Sequence, residues 1–279
     1  MPARRGRVGI EVPAYSLHPL HYVALRALLG DALVAEPTHL VDDLKLVKSP
    51  AELACIREAA RIADVTMTAF LGAVGDGRSE LELAAIVYAT LLGSGSGLPA
   101  SAINLVTGER CAFSHGPPTS RRLRRGDAGN IEFGATSRRY TATLGRQFSL
   151  GPPTPRHHQL HDVIRRASDA CIAAIRDGVK AVVPHEAAKR VIAEAGLDGY
   201  RVHTTGYGLA PGFPPSWAEP LHLFGGSRYT LAAGMVVTVE PNVFIGAEGI
   251  GVRIADNVLV TATGAEILSR TPRELAVIG

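Results

Sequence analysis

One grouping of side chains has the spacing to ligate a metal: His157, His158 and His161. Positions 157 and 161 are an i, i+4 pair and would share a helix face. Asp162 is the sole carboxylate beside them, and they open a helical pattern, where polar residues are normal, so the grouping is expected to be a solvated first turn. Cys55, Cys111 and Cys171 show no CxxC spacing. An odd count and wide separation suit free thiols in a reducing compartment. Cys55 and Cys171 fall within helical patterns and should pack as small apolar residues. The basic run Arg121-Arg122-Leu-Arg124-Arg125 precedes Gly126-Asp127 and has no interleaved aromatic residue. It reads as a solvated turn, not as a nucleic-acid surface.

The elements that must carry any site follow from pattern. Of 279 residues, 46% are hydrophobic and 20% charged, the balance of a globular protein, and a net charge of +3 is too small to argue for nucleic acid. Residues 1–5 lack the apolar run of a signal peptide, and no stretch is long enough to span a membrane, so a cytoplasmic location is expected. Residues 7–12 alternate like a strand, and Leu20–Leu29 is helical in pattern, with a short apolar piece at Ala32–Ala35. Ser49-Pro50-Ala51-Glu52 is a capping box with proline at the first helical position, which starts a helix running to about Val74. Gly75-Asp76-Gly77 ends it, and Ser79–Glu82 opens the next with a second capping box. Strands are predicted at Ala102–Thr107, Gly129–Ala135 and Tyr140–Leu150, and again at Met235–Val243 and Gly251–Val260. Helices are predicted over 156–176 and 185–195. Gly206–Trp217, rich in glycine and proline, reads as a rigid loop whose Phe213-Pro-Pro-Ser-Trp217 run supplies an apolar wall or ordinary loop packing. Two halves, each with helices and strands, suggest an internal pseudo-duplication in the α+β class.

Several segments together resemble the creatinase/aminopeptidase P/methionine aminopeptidase family. They are Lys48-Ser-Pro-Ala-Glu-Leu, Val106-Thr-Gly with Ser114-His115, and Gly126-Asp127 with Ile131-Glu-Phe-Gly-Ala135. The rest are His203-Thr-Thr-Gly-Tyr-Gly208, Gly234-Met-Val-Val-Thr-Val-Glu-Pro241 and Gly251-Val-Arg-Ile-Ala-Asp-Asn-Val-Leu-Val-Thr261. Their order and spacing from about Lys48 to the C-terminus carry the likeness. It implies a pita-bread fold with pseudo-two-fold duplication over residues 48–279. Residues 1–47 then form a residual N-terminal α/β segment, like the closing part of the family's N-terminal domain. It also implies a homodimer.

The resemblance implies a metal site of two aspartates, a histidine and two glutamates in the peptidase members. Those positions are here Glu132, Thr143, Tyr207, Glu240 and Ala255. Two adjacent divalent ions need bridging carboxylates to offset their repulsion, and both bridging positions, Thr143 and Ala255, lack one. A phenol with a pKa of about 10 is a poor ligand. No metal or other cofactor is expected. The pocket's expected occupants are His115, Glu132, His203, Tyr207, Glu240 and Arg253, with Trp217 stacking on the substrate. By likeness to creatinase, His115 is read as a proton shuttle, with Glu240 orienting it or holding a cationic group and Glu132 completing the catalytic set. Gly145, before Arg146, stands where creatinase-type members have a further glutamate, so creatine itself is not the expected substrate.

The main expectation is a metal-independent, creatinase-like enzyme. It would act on a small molecule, with a cationic group among the options, by hydrolysing a C–N bond or by acid/base elimination or cyclisation. A second reading is a pseudo-peptidase that binds peptide or protein, and a third is an atypical Xaa-Pro-type metallopeptidase. Neither nucleic acid nor membrane is an expected partner.

Overall fold

The computed structural model describes residues 6–11, 17–35 and 39–279. They belong to two units, Met1–Lys45 and Leu46–Gly279. In the first, β1 (Val8–Gly9) pairs in parallel with β2 (Leu33–Ala35), and α1 (Pro19–Leu29) lies between them in sequence. The described part of the expected first strand is shorter than residues 7–12, and Val12, like residues 1–5, lies outside the described residues. Helix α2 (Leu40–Leu46), not anticipated from sequence, leads into the second unit.

The second unit repeats a plan of two helices followed by strands. Its first half holds α3 (Pro50–Ala73), α4 (Glu80–Gly93), β3 (Asn104–Thr107), β4 (Ala128–Ser137) and β5 (Tyr140–Leu150). Its second half holds α5 (Pro155–Ala173), α6 (Val182–Glu194), β6 (Gly206–Phe213), β7 (Ser216–Leu223), β8 (Val236–Val239), β9 (Asn242–Ile245), β10 (Ile250–Arg253), β11 (Asp256–Val260), β12 (Ala265–Ile267) and β13 (Ala276–Ile278). One sheet runs through both halves in the order β12-β11-β8-β6-β5-β4-β3, with β13 beside β5 and β7 beside β6, while β9 and β10 form a separate hairpin. Each half has its own core. Ile62, Phe70, Leu83 and Val87 pack on Leu105, Phe133, Leu144 and Phe148 in the first. In the second, Leu160, Ile164, Ala188 and Ile192 pack on Val237, Val239, Val252 and Val258. The helices cover one face of each half and leave the opposite face for a site.

Both capping boxes form. Ser49 Oγ accepts from the Glu52 N–H while Glu52 accepts from the Ser49 N–H at 2.7 Å, and Ser79 and Glu82 repeat the exchange. Other expectations need correction. Gly206–Trp217 is not a loop but most of the β6–β7 hairpin. A Cβ at Gly206 would lie 2.0 Å from the Thr238 carbonyl oxygen, so this glycine serves close strand approach, not a turn. The strand predicted over Met235–Val243 divides at Glu240-Pro241, because proline donates nothing to a ladder. The strand predicted over Gly251–Val260 divides at Ile254-Ala255, where the halves meet. Nor is the His157 turn solvated: His157 and His161 are buried, 1% and 5% exposed. Among the described residues no helix is long and apolar enough to cross a membrane.

Candidate functional site

Strand register assembles the polar face opposite the helices. Asn104 lies across from Glu132, Glu132 across from Gly145, and Gly145 bridges to Ala255, a rung that crosses from one half to the other. Because side chains alternate along a strand, Ile131 and Phe133 enter the core of the first half and Glu132 turns to the other face. Gly145 and Ala255 exchange backbone hydrogen bonds at 3.1 Å, and a Cβ on Gly145 would meet that of Ala255 at 2.9 Å. Thr143 is held by Asn257, whose Oδ1 accepts from the Thr143 N–H at 2.8 Å and whose Nδ2 donates to the Thr143 carbonyl at 2.6 Å. Arg146 points away from this face, to Asp256 and the carbonyls of Thr271 and Pro272.

Two ion pairs occupy the centre. Arg253 Nη1 lies 2.8 Å from Glu132 Oε2, with both side chains below 5% exposed. Asn104 Nδ2 donates to the same carboxylate at 3.0 Å, and Arg253 Nη2 donates to the Ser114 carbonyl at 3.0 Å. Behind the pair, the Gln147 amide is satisfied at both ends in one orientation. Its oxygen accepts the Arg253 N–H at 3.1 Å, and its nitrogen donates to the Gly129 carbonyl and to His157 Nε2. The second pair is His203 Nδ1 and Glu240 Oε1 at 3.0 Å. This is an ionic approach, not an aligned hydrogen bond, since the same nitrogen is 2.9 Å from the Thr204 carbonyl and neither Glu240 oxygen accepts a well-directed donor. Burial pushes the Glu240 carboxyl above its ordinary value; His203 opposes the shift and Glu132 adds to it. Burial disfavours the charged His203 imidazole, but Glu240 outweighs it and holds that pKa above the usual value. The rise at His203 depends on a charged Glu240, so the two groups titrate as one coupled pair.

An aromatic wall flanks the pairs. Trp217 Nε1 donates to Tyr207 Oη at 3.0 Å, and both residues are buried. Burial, with Glu240 and Glu132 nearby, pushes the Tyr207 phenol well above its ordinary value, so it stays protonated. Trp217 is a buried support for Tyr207 rather than an open stacking surface. His222, not anticipated from sequence, has its ring 6.0 Å from that of Tyr207.

His115 is exposed, its ring 5.6 Å from that of His203. Partial desolvation and the Arg253 charge lower its pKa, which favours the neutral imidazole. The sequence reading paired Glu240 with His115; in the structure the imidazole against Glu240 is that of His203. Glu80, also missed, fixes the segment that carries His115. Its fully buried carboxylate accepts from the Thr107 N–H and hydroxyl at 2.9 and 2.8 Å and from the Thr119 N–H and hydroxyl at the same distances, and it pairs with Arg110. One carboxylate thus ties together both ends of residues 107–119. The candidate set therefore comes together on one face: Glu132 with Arg253, Glu240 with His203, Tyr207 with Trp217, and His115 at the rim.

Fold and site together define a class. The model of metallopeptidase family M24 matches residues 54–262. A Xaa-Pro dipeptidase of Pyrococcus furiosus is 31% identical over 239 residues, covering 85% of this chain and 66% of the relative. A probable dipeptidase PepE of Mycobacterium tuberculosis is 31% identical over 264 residues, 94% of this chain and 68% of the relative. The solved structure of a Xaa-Pro dipeptidase from Bacillus anthracis matches with a TM-score of 0.88 at 29% identity, over 98% of this chain and 75% of that one. The chain belongs to metallopeptidase family M24, and its fold is the α+β pita-bread fold of these relatives. It spans 66% of the length of the Pyrococcus relative.

These matches overturn the expectation of a metal-independent, creatinase-like hydrolase, lyase or cyclase of small molecules. The relatives carry the names of dipeptidases and prolidases. The creatinase-type role of His115 falls with that reading.

Proposed function

We propose that the pocket binds a short peptide of the Xaa-Pro class, with the peptide's α-ammonium group on Glu240, and that it does so as a binding site in which the family's two-metal centre has been lost. The observation that carries this reading is the state of Glu240: 1% exposed, with no aligned hydrogen bond and only the ionic approach of His203. A buried carboxylate left so under-satisfied is costly, and a cationic ligand group with several N–H donors relieves that cost. The relatives' names supply the ligand class.

The metal pair implied by the family does not fit the side chains present. Glu132 is committed to Arg253 and Asn104, Thr143 to Asn257, and Tyr207 is a buried neutral phenol bonded to Trp217. Ala255 offers no donor atom. Among the described residues no group of three or more His, Cys, Asp or Glu side chains could hold a metal ion. The chain thus reads as a divergent member of its family, and its chemistry as recognition.

Calorimetric titration with Gly-Pro and Leu-Pro tests this. Binding is expected without release of free proline, and Glu240→Gln should weaken it by about 30-fold or more, the scale of a lost buried charge pair. A second reading, hydrolysis by an atypical metallo-dipeptidase, is favoured by the relatives' names. About two metal ions per chain by elemental analysis, with proline released when Mn²⁺ or Co²⁺ is added, would establish it and end the binding-protein reading.

A further inference from the structure

Thr205 stands in the chain between His203 and Tyr207 and is 2% exposed. Its carbonyl accepts the Glu240 N–H at 2.7 Å, and its N–H donates to the Leu223 carbonyl at 3.1 Å. Its backbone therefore joins the residue that follows β8 to the last residue of β7. Its hydroxyl lies 2.8 Å from Nδ1 of His185, on α6. We infer that His185 is a positioning residue for the pocket, which through Thr205 fixes where Glu240, His203 and Tyr207 stand. What the pocket binds is taken from the peptide reading above.

The helix itself offers the first argument. Pro184, His185, Ala188 and Ile192 are the buried residues of α6, and three of the four are apolar. Packing alone would be met by a fourth, whereas a buried imidazole is costly unless its nitrogens are partnered. The second argument is the state of the ring. Nε2 lies 3.7 Å from the Glu186 carboxylate, which favours the proton on that nitrogen and leaves Nδ1 to accept from the Thr205 hydroxyl. Burial and the Arg201 charge lower the His185 pKa, which favours the neutral form that can accept. The third is that, among the described residues, the Thr205 hydroxyl has no other partner. Without His185 it is left buried and unpaired, and the segment must shift to relieve it. Glu186, His185 and Thr205 have the residue types of a catalytic triad, but a hydroxyl this deeply buried meets no substrate.

Trp217, the one tryptophan of the chain, donates to Tyr207, so its emission reports the placement of the same segment without any ligand. The experiment compares four variants of the full chain with the parent by thermal melting, by Trp217 emission well below the midpoint, and by calorimetric titration with Gly-Pro. His185→Ala removes the tether. Thr205→Val removes the hydroxyl at nearly constant shape and carries the comparison should the alanine variant not fold. His185→Asn keeps a hydrogen-bonding atom near the Nδ1 position, and Leu83→Ala is a destabilising change in the core of the other half. His185→Ala and Thr205→Val are expected to shift the emission and to weaken Gly-Pro binding by about 5- to 30-fold, the scale of one buried hydrogen bond. His185→Asn should recover most of both, while Leu83→Ala lowers the midpoint and moves neither. Emission unchanged in the first two variants, an equal shift in Leu83→Ala, or no recovery in His185→Asn overturns the inference. Gly-Pro bound as tightly by the first two variants as by the parent also overturns it and leaves the peptide reading standing. If the emission moves as expected while the parent binds no Gly-Pro, the positioning role holds and the peptide reading fails.

Discussion

Glu80→Ala is expected to destabilise the second unit by about 3–5 kcal/mol, the cost of breaking a buried ion pair from one side. For a unit of this size that lowers the thermal midpoint by roughly 10 °C. The reason lies in what the carboxylate holds. Two backbone N–H groups and two hydroxyls, from Thr107 and Thr119, converge on it together with the Arg110 guanidinium, and all lose their acceptor at once. Each buried donor left without a partner carries its own desolvation cost. Glu80→Gln separates charge from shape. It keeps the volume and one acceptor oxygen, so the loss should be smaller, while amide exchange over residues 107–119 should still rise. Denaturant unfolding of both variants measures the first effect, and hydrogen exchange the second. A loss below about 1 kcal/mol for the alanine variant would mean that the segment is held by other contacts.

The consequence reaches the pocket, because the same segment carries His115, Phe113 and the Ser114 carbonyl that accepts from Arg253. The rim segment is therefore held in place from Glu80, at the start of α4, and not from the face where a ligand would touch. Arg253 links the two sides. It takes its register from Gln147 behind, its charge partner from Glu132 and its last acceptor from the tied segment.

What the sequence disclosed and what it withheld separate along physical lines. Ser49–Glu52 and Ser79–Glu82 announce their helices because a capping box is a local exchange, complete within four residues. The order of motifs from Lys48 onward was enough for the fold, and Glu132, Tyr207, Glu240 and Arg253 do meet on one face. What stayed hidden depends on contacts between distant parts of the chain. Glu80 looks like any acidic residue at a helix N-terminus; its burial comes from Thr107, Arg110 and Thr119, which no local pattern reports. His203 was recognised as a pocket residue, but its pairing with Glu240 follows from the register of β6 on β8. Gly206, Gly208 and Gly212 look like loop residues, yet each sits where another chain segment comes too close for a Cβ. His157 opens a helix, where solvent is the usual neighbour, and only the position of Gln147 on β5 shows that this turn faces inward.

Acid should unfold this protein early, and His157 with His161 should be the cause. Burial, with the neighbouring charges of His158 and His161 adding to it, lowers the pKa of His157 to about 4; burial, with Arg165 and His158, does the same for His161. In the unfolded chain both titrate near their ordinary 6.5. The unfolded state therefore binds two protons that the folded state refuses, and stability, complete above 6.5, is lost as pH falls from there towards 4. Each shift amounts to at most about 3 kcal/mol, and with both groups titrating the steepest slope is about 2.7 kcal/mol per pH unit. His203 and Glu240 act in the opposite sense. Their raised pKa values favour the folded state at low pH and withdraw that support as pH rises, which flattens the profile. In the folded protein His157 stays neutral across this window, so its Nε2 keeps its place as acceptor for Gln147 until the chain unfolds. Calorimetric melting between pH 4 and 7 should show the midpoint falling across this window, and His157→Gln, which cannot charge, should lower the slope by close to half. A midpoint that holds steady from pH 6.5 to 4.5, or a His157→Gln profile parallel to that of the parent, would show that neither imidazole is kept neutral by burial.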